Sequence, residues 1–276
     1  MKPGPKKALL LSAILLAGLG AWFGWKAMSP QEPVYKGHPL TFWVEQWALH
    51  PVAREEAYIA IQEIGTNGIP FLLGRMRTTE PAIKAWLRAK APLSWRSHLH
   101  LENTSEQQKS LGAFGLTVLG TNAGPAVPEL MKLLSLEMNR NPPDRTSGNL
   151  LMLALGGLGS AADPAVPLLV QCLTNPFSSI RFEAARRIGL IRSRPEIVVP
   201  ALLEYLKITR KANNTSGCEA IYSIGLFGTN ASSAAPVLID LLTDPNLHFR
   251  EAATNCLPAV DPAAAERAGV RIEQTR

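Results

Sequence analysis

Apolar residues recur in this chain in pairs three positions apart, and each pair ends at a turn residue. The pairs are Leu116 and Leu119 before Gly120, Leu155 and Leu158 before Gly159, Ile188 and Ile191 before Arg192, and Ile224 and Phe227 before Gly228. Eight residues beyond each of those stops stands a proline, at Pro128, Pro167, Pro200 and Pro236. Two and three residues past each proline come Leu130 and Met131, Leu169 and Val170, Leu202 and Leu203, Leu238 and Ile239. Five and six past it come Leu133 and Leu134, Cys172 and Leu173, Tyr205 and Leu206, Leu241 and Leu242. Such spacing puts one apolar stripe on each of two successive helices, the first closed by glycine and the second opened by proline.

The closing positions 120, 159, 192, 228 and 261 are separated by 39, 33, 36 and 33 residues, the length of two helices with their turns. One hairpin of that size cannot bury both of its apolar faces. Stacked hairpins share a continuous core, at roughly 1.5–3 kcal/mol for each large aliphatic side chain fully buried. The expected fold is therefore all-α, a row of helical hairpins, and no period-two run predicts a sheet.

Two stretches carry a family resemblance. Asn175-Pro176-Phe177-Ser178-Ser179-Ile180-Arg181-Phe182-Glu183-Ala184-Ala185, followed by Ile188-Gly189, and Asp244-Pro245-Asn246-Leu247-His248-Phe249-Arg250-Glu251-Ala252-Ala253 each read as an Asx-Pro turn, an apolar-Arg pair and small residues. This resembles the opening of a HEAT repeat, and the likeness extends over about residues 52 to 261. The resemblance implies a right-handed α-solenoid, HEAT-like or armadillo-like, of about six hairpins over residues 41–276, with Asp244 and Arg250 holding register. The arrangement also resembles bacterial HEAT-repeat proteins carried on a single N-terminal membrane helix. Gly217 stands where the repeat before Gly228 should have its arginine, and the repeat before Gly120 lacks the Asx-Pro turn, so those units are expected to stack less regularly.

Upstream of the repeats, Ala8 to Trp25 contains no charge and is flanked by Lys2, Lys6, Lys7 and Lys26. As a helix those residues would rise about 27 Å, close to the roughly 30 Å of a bilayer core. Residues 1–26 are thus expected to be a cytoplasmic tail and transmembrane signal anchor, with membrane contact through 8–25 and the solenoid periplasmic or extracellular. Cleavage after Gly18-Leu19-Gly20, giving a secreted protein, is the alternative. Residues 27–40, with Pro30, Pro33, Gly37 and Pro39, read as a flexible spacer, and Trp43 and Trp47 as a cap on the open end of the core.

Charge changes the picture little. The net formal charge is +6, but without the four N-terminal lysines 24 basic residues face 22 acidic ones. The exception is an insertion: Gly65 to Gly120 is 55 residues, some twenty more than a period. It carries Arg75, Arg77, Lys84, Arg88, Lys90 and Arg96 against Glu80 alone, with Trp86 and Trp95 interleaved. The plainer expectation is a helix whose tryptophans pack on the first repeat while its cations snorkel. The alternative is a grip on nucleic acid or anionic lipid through residues 75–96.

Catalytic signatures are scarce. No HExxH or spaced carboxylate pair occurs, and His98 and His100 lack accompanying acidic or thiol ligands. Gly157-Leu158-Gly159-Ser160-Ala161-Ala162 mimics a dinucleotide loop but follows a helix and coincides with a repeat joint. Cys172 replaces a core aliphatic. The arginines at 181, 186, 187, 192 and 194 read as solvated outer-face charge. No cofactor, metal or catalytic residue is expected.

What remains is surface. Counting four and seven residues past the prolines, the outward positions include Lys132, Gln171, Glu204, Lys207 and Asp240, short-chained and mixed in sign. That composition suits a protein segment, and nucleic acid is not expected there. The resulting expectation is a membrane-anchored, non-catalytic protein-interaction scaffold with an unidentified protein partner. A HEAT-type enzyme such as a lyase is the further alternative.

Overall fold

The computed structural model describes residues 31–98, 104–140 and 144–270. From Pro33 onward the chain forms one compact unit. It is all-helical apart from a small hairpin. The hairpin pairs β1 (Val34–Tyr35) with β2 (His38–Pro39) around Lys36 and Gly37, both at positive φ, as a two-residue hairpin turn requires. It comes from residues expected as spacer, and it rests on α1 (Leu40–Leu49): the Trp43 indole donates to the Tyr35 carbonyl at 3.2 Å, and His38 stacks on Phe42. Trp43 is buried and Trp47 half-buried, the latter against Phe114.

Next come α2 (Arg54–Ile64) and α3 (Ile69–Met76), then two short helices of the insertion, α4 (Ala82–Lys90) and α5 (Leu93–His98). Four hairpins follow. Their leading helices are α6 (Ser105–Leu119), α8 (Arg145–Gly157), α10 (Ser178–Ile191) and α12 (Cys218–Gly225). Their trailing helices are α7 (Val127–Met138), α9 (Val166–Cys172), α11 (Pro195–Lys211) and α13 (Ala235–Leu241). A last leading helix, α14 (Leu247–Val260), is followed by the short α15 (Pro262–Arg267), capped by Asp261.

Each leading helix packs on the next, α6 on α8, α8 on α10, α10 on α12 and α12 on α14, and each trailing helix packs on the leading helix that follows it. The core runs along that row, with Leu116, Leu155, Ile188, Ile224 and Leu257 each fully buried. The leading helices come close because small residues meet at the crossings. A Cβ on Gly189 would lie 2.6 Å from Ser223, and one on Gly157 2.6 Å from Thr117.

Three of the four joints follow the predicted chemistry. Gly120 has φ 58° and ψ −134°, and Gly159 and Gly228 share that positive φ. This region excludes a Cβ, so glycine is needed there. A 3-10 segment follows, and Pro128, Pro167 or Pro236 then sits in the first turn of the trailing helix.

The joint at Arg192 departs from the expectation. Arg192 and Arg194 both adopt left-handed conformations, at φ 53°, the 3-10 segment is missing, and α11 opens at Pro195 with Pro200 inside it. A side chain at 192 cannot take the glycine geometry, so the chain turns through two left-handed residues instead, at roughly 1 kcal/mol each. Asp163 helps hold that turn. Its carboxylate accepts from Arg194 Nε at 2.9 Å and Nη2 at 2.6 Å, and from the Ser193 hydroxyl. At the last closing position stands Asp261, reached after α14 has run through Pro258 to Val260.

The expected single-pass membrane placement needs correction. Among the described residues no helix is long and apolar enough to cross a membrane. The segment 8–25 on which that expectation rested lies outside the described residues.

Candidate functional site

Trailing helices α11 and α13 flank a groove of about 1150 Å³. Pro200, Leu203 and Leu206 of α11 and Pro236 and Val237 of α13 supply its apolar surface. Glu204 and Lys207 stand on one side and Asp240 on the other, so three of the five residues expected on this face gather at one place. Gln171 lines a smaller groove of about 300 Å³ between α7 and α9, with Ser135, Met138 and Leu168. Lys132 is exposed on α7 and lines neither.

Arg210 organises the polar end of the larger groove. Its Nη1 donates to Asp240 Oδ2 and its Nε to Asp244 Oδ2, each at 2.5 Å. The hydrogen bond to Asp240 is the main cause that raises the guanidinium pKa above its usual value, against an opposing cost of burial. Asp244 is 4% exposed and also caps its own turn, its Oδ1 accepting from Asn246 N at 2.8 Å. Lys211 lines the groove beside Arg210, while Glu204 and Lys207 pair at 3.4 Å with both side chains exposed, a contact that adds little.

The expected register pair between Asp244 and Arg250 takes a different form. Arg250 Nη1 donates to the main-chain carbonyls of Asp244 at 2.6 Å and Pro245 at 3.1 Å. Arg181 treats Asn175 and Pro176 in the same way, at 2.7 and 2.9 Å. The arginine therefore closes its own Asx-Pro turn, and the Asp244 carboxylate is left to reach α11, the trailing helix one repeat back. Arg210 was missed by counting only four and seven residues from each proline, and Asp244 was expected to pair with Arg250 instead. One more turn along the helix, ten residues past Pro200, falls on Arg210.

The arginines of α10 and its joint also need correction as a group. Arg187 pairs with Glu183 at 2.5 Å with both side chains largely buried, and Arg181 and Arg194 are engaged as described above. Arg186 and Arg192 are the exposed ones.

The basic insertion departs further. No residue of α4 is buried, and Trp86 is 57% and Trp95 61% exposed, so the tryptophans do not pack on the first repeat. α3 and α6 pack directly on each other across the insertion. Arg88 pairs with Glu80 at 2.6 Å, Arg77 with Glu129 at 2.9 Å, Arg96 donates to the Ala91 carbonyl, and Arg75 lies over the Phe71 ring at 4.7 Å. Lys84 and Lys90 have no ion-pair partner among the described residues. His100 lies outside the described residues.

The thiols are chemically quiet: burial pushes Cys172 and Cys256 up to about 12 and raises Cys218 as well. Compared with known proteins, the chain matches no family model, and no curated protein matches it in sequence.

Proposed function

We propose that residues 41–276 are a HEAT-like, right-handed α-solenoid that serves as a non-catalytic protein-interaction scaffold, with the α11–α13 groove as its docking place. The supporting observation is the groove itself. It combines leucine, valine and proline side chains with a charged margin in which Lys207, Arg210 and Lys211 are matched in number by Glu204, Asp240 and Asp244. An amphipathic protein segment can bury its apolar side chains there and answer both signs of charge. A phosphate backbone would call for cations in excess, and the margin has none in excess. The row of leading helices and the glycine joints agree with a solenoid, since each hairpin covers the apolar face of its neighbour.

Selection of a displayed random-peptide library on the full chain tests the reading. Converging sequences should bind the groove, and Val237→Asp should weaken them about 30-fold, the effect of a buried anchor position. Peptides that converge yet bind wild type and V237D alike would place the docking surface elsewhere. A library that never converges would count against a scaffold.

A further inference from the structure

We infer that α4 is an adsorption element for an anionic lipid surface. Ile83, Trp86 and Leu87 occupy successive turns of one face of this nine-residue helix, and they are 65%, 57% and 42% exposed. Trp95, from the next short helix, adds a second exposed indole close in sequence. Lys84 and Arg88 follow one another on an adjoining face, and Lys90 lies at the end of the apolar one. Over residues 75–98 six cations face one carboxylate, that of Glu80. This is a short amphipathic helix presented outward with its apolar face uncovered and a basic margin, the arrangement that lets a helix lie in the headgroup layer without spanning it.

The chemistry of the ridge distinguishes lipid from the other polyanion. Bases stack on flat rings, and here the ring of Trp86 stands among aliphatic neighbours, Ile83 and Leu87, that a nucleic-acid strand would leave wet. Hydrocarbon accepts all three at once, while indole rings suit the boundary between headgroup and acyl chain. The two lysines without an ion-pair partner then contribute attraction to an anionic surface. Arg88, in the last turn, reaches back along the helix to Glu80, two residues before the helix begins.

The test uses the full chain with Ile83→Cys carrying an environment-sensitive nitrobenzoxadiazole label; the native cysteines are all buried and do not compete for it. Phosphatidylglycerol vesicles should shift the label's emission to the blue, and phosphatidylcholine vesicles should do so far more weakly. Lys84→Glu combined with Lys90→Glu should weaken the apparent affinity for phosphatidylglycerol by about 30-fold or more. Both positions are at least partly solvent-accessible, so unchanged thermal unfolding will confirm that the variant is folded. Vesicle binding with no change at the label would overturn the inference, because another part of the chain would then be responsible. Equal binding by the charge-reversed variant would overturn it too. A label response to single-stranded DNA that exceeds the response to vesicles would reassign the helix to nucleic acid.

Discussion

Arg210 and Asp244, 34 residues apart, are joined by a charge-assisted hydrogen bond that ties trailing helix α11 to the turn opening α14. The equivalent place two repeats earlier is filled by Met138, whose sulfur receives the Asn175 amide at 3.9 Å. The same joint is thus closed once by charge and once by a soft thioether. Removing one partner of the charged version leaves a buried carboxylate unanswered. Arg210→Ala should lower stability by about 2 kcal/mol, less than for a fully buried pair because the arginine is partly solvated. Arg210→Ala with Asp244→Asn should recover most of that loss, as measured by urea unfolding followed by circular dichroism.

Lys109 is 5% exposed and meets the Asp144 carboxylate at 3.3 Å and the Ser147 hydroxyl. Burial acts to raise the Asp144 pKa, but the bonds from Ser147 and the charge of Lys109 outweigh it and hold the carboxyl below 3.8. A carboxyl depressed in the folded state contributes stability above its unfolded pKa and loses it as pH falls through the folded value. The stability gap between wild type and Asp144→Asn should therefore be constant near neutrality and close below about pH 3.8. Denaturant midpoints taken across that range check it.

The crossing of α10 and α12 depends on Gly189, against which Ser223 packs while its hydroxyl donates to the Ala185 carbonyl. Gly189→Ala has no room and should cost about 2–4 kcal/mol, and Ser223→Ala about 1 kcal/mol. Gly74 in α3 is the contrast: a Cβ there meets nothing within 4 Å. Gly74→Ala should stabilise by about 0.5–1 kcal/mol through helix propensity alone. Thermal unfolding of the three variants separates crowding from propensity.

Ellman's reagent offers a fourth check. With Cys172 and Cys256 pushed up to about 12, the folded protein should leave both thiols unmodified at pH 8, and guanidinium should release all three cysteines together. Rapid native labelling at Cys172 would contradict its burial.

How far these features can be read from sequence depends on whether a residue has one physical option or several. Gly120, Gly159 and Gly228 had one, since a stop after an apolar pair followed by proline needs positive φ, and those joints were legible. Arg192 sits in the same column, but no pattern announces a pair of left-handed arginines, so the start of α11 was misplaced. Asp163 is what made that turn tenable, and it lies 31 residues from Arg194. In the candidate groove, Glu204, Lys207 and Asp240 followed from helical spacing alone. Arg210 needed the knowledge that α11 continues past the length of α9 and α13. For α4 the amphipathic pattern was plain, but periodicity is identical for a helix that packs and one that does not.

The tight crossings at Gly157, Gly189 and Gly225 lie along the leading helices, whereas the trailing helices touch one another sparingly and leave grooves between them. Mechanically this resembles a bound book. The spine is stiff because backbone sits close to backbone, whereas at the α11–α13 groove the outer edges are tied by side chains, Arg210 reaching both Asp240 and Asp244. A guest wedged between two of those edges therefore leans against a back wall that has little room to give.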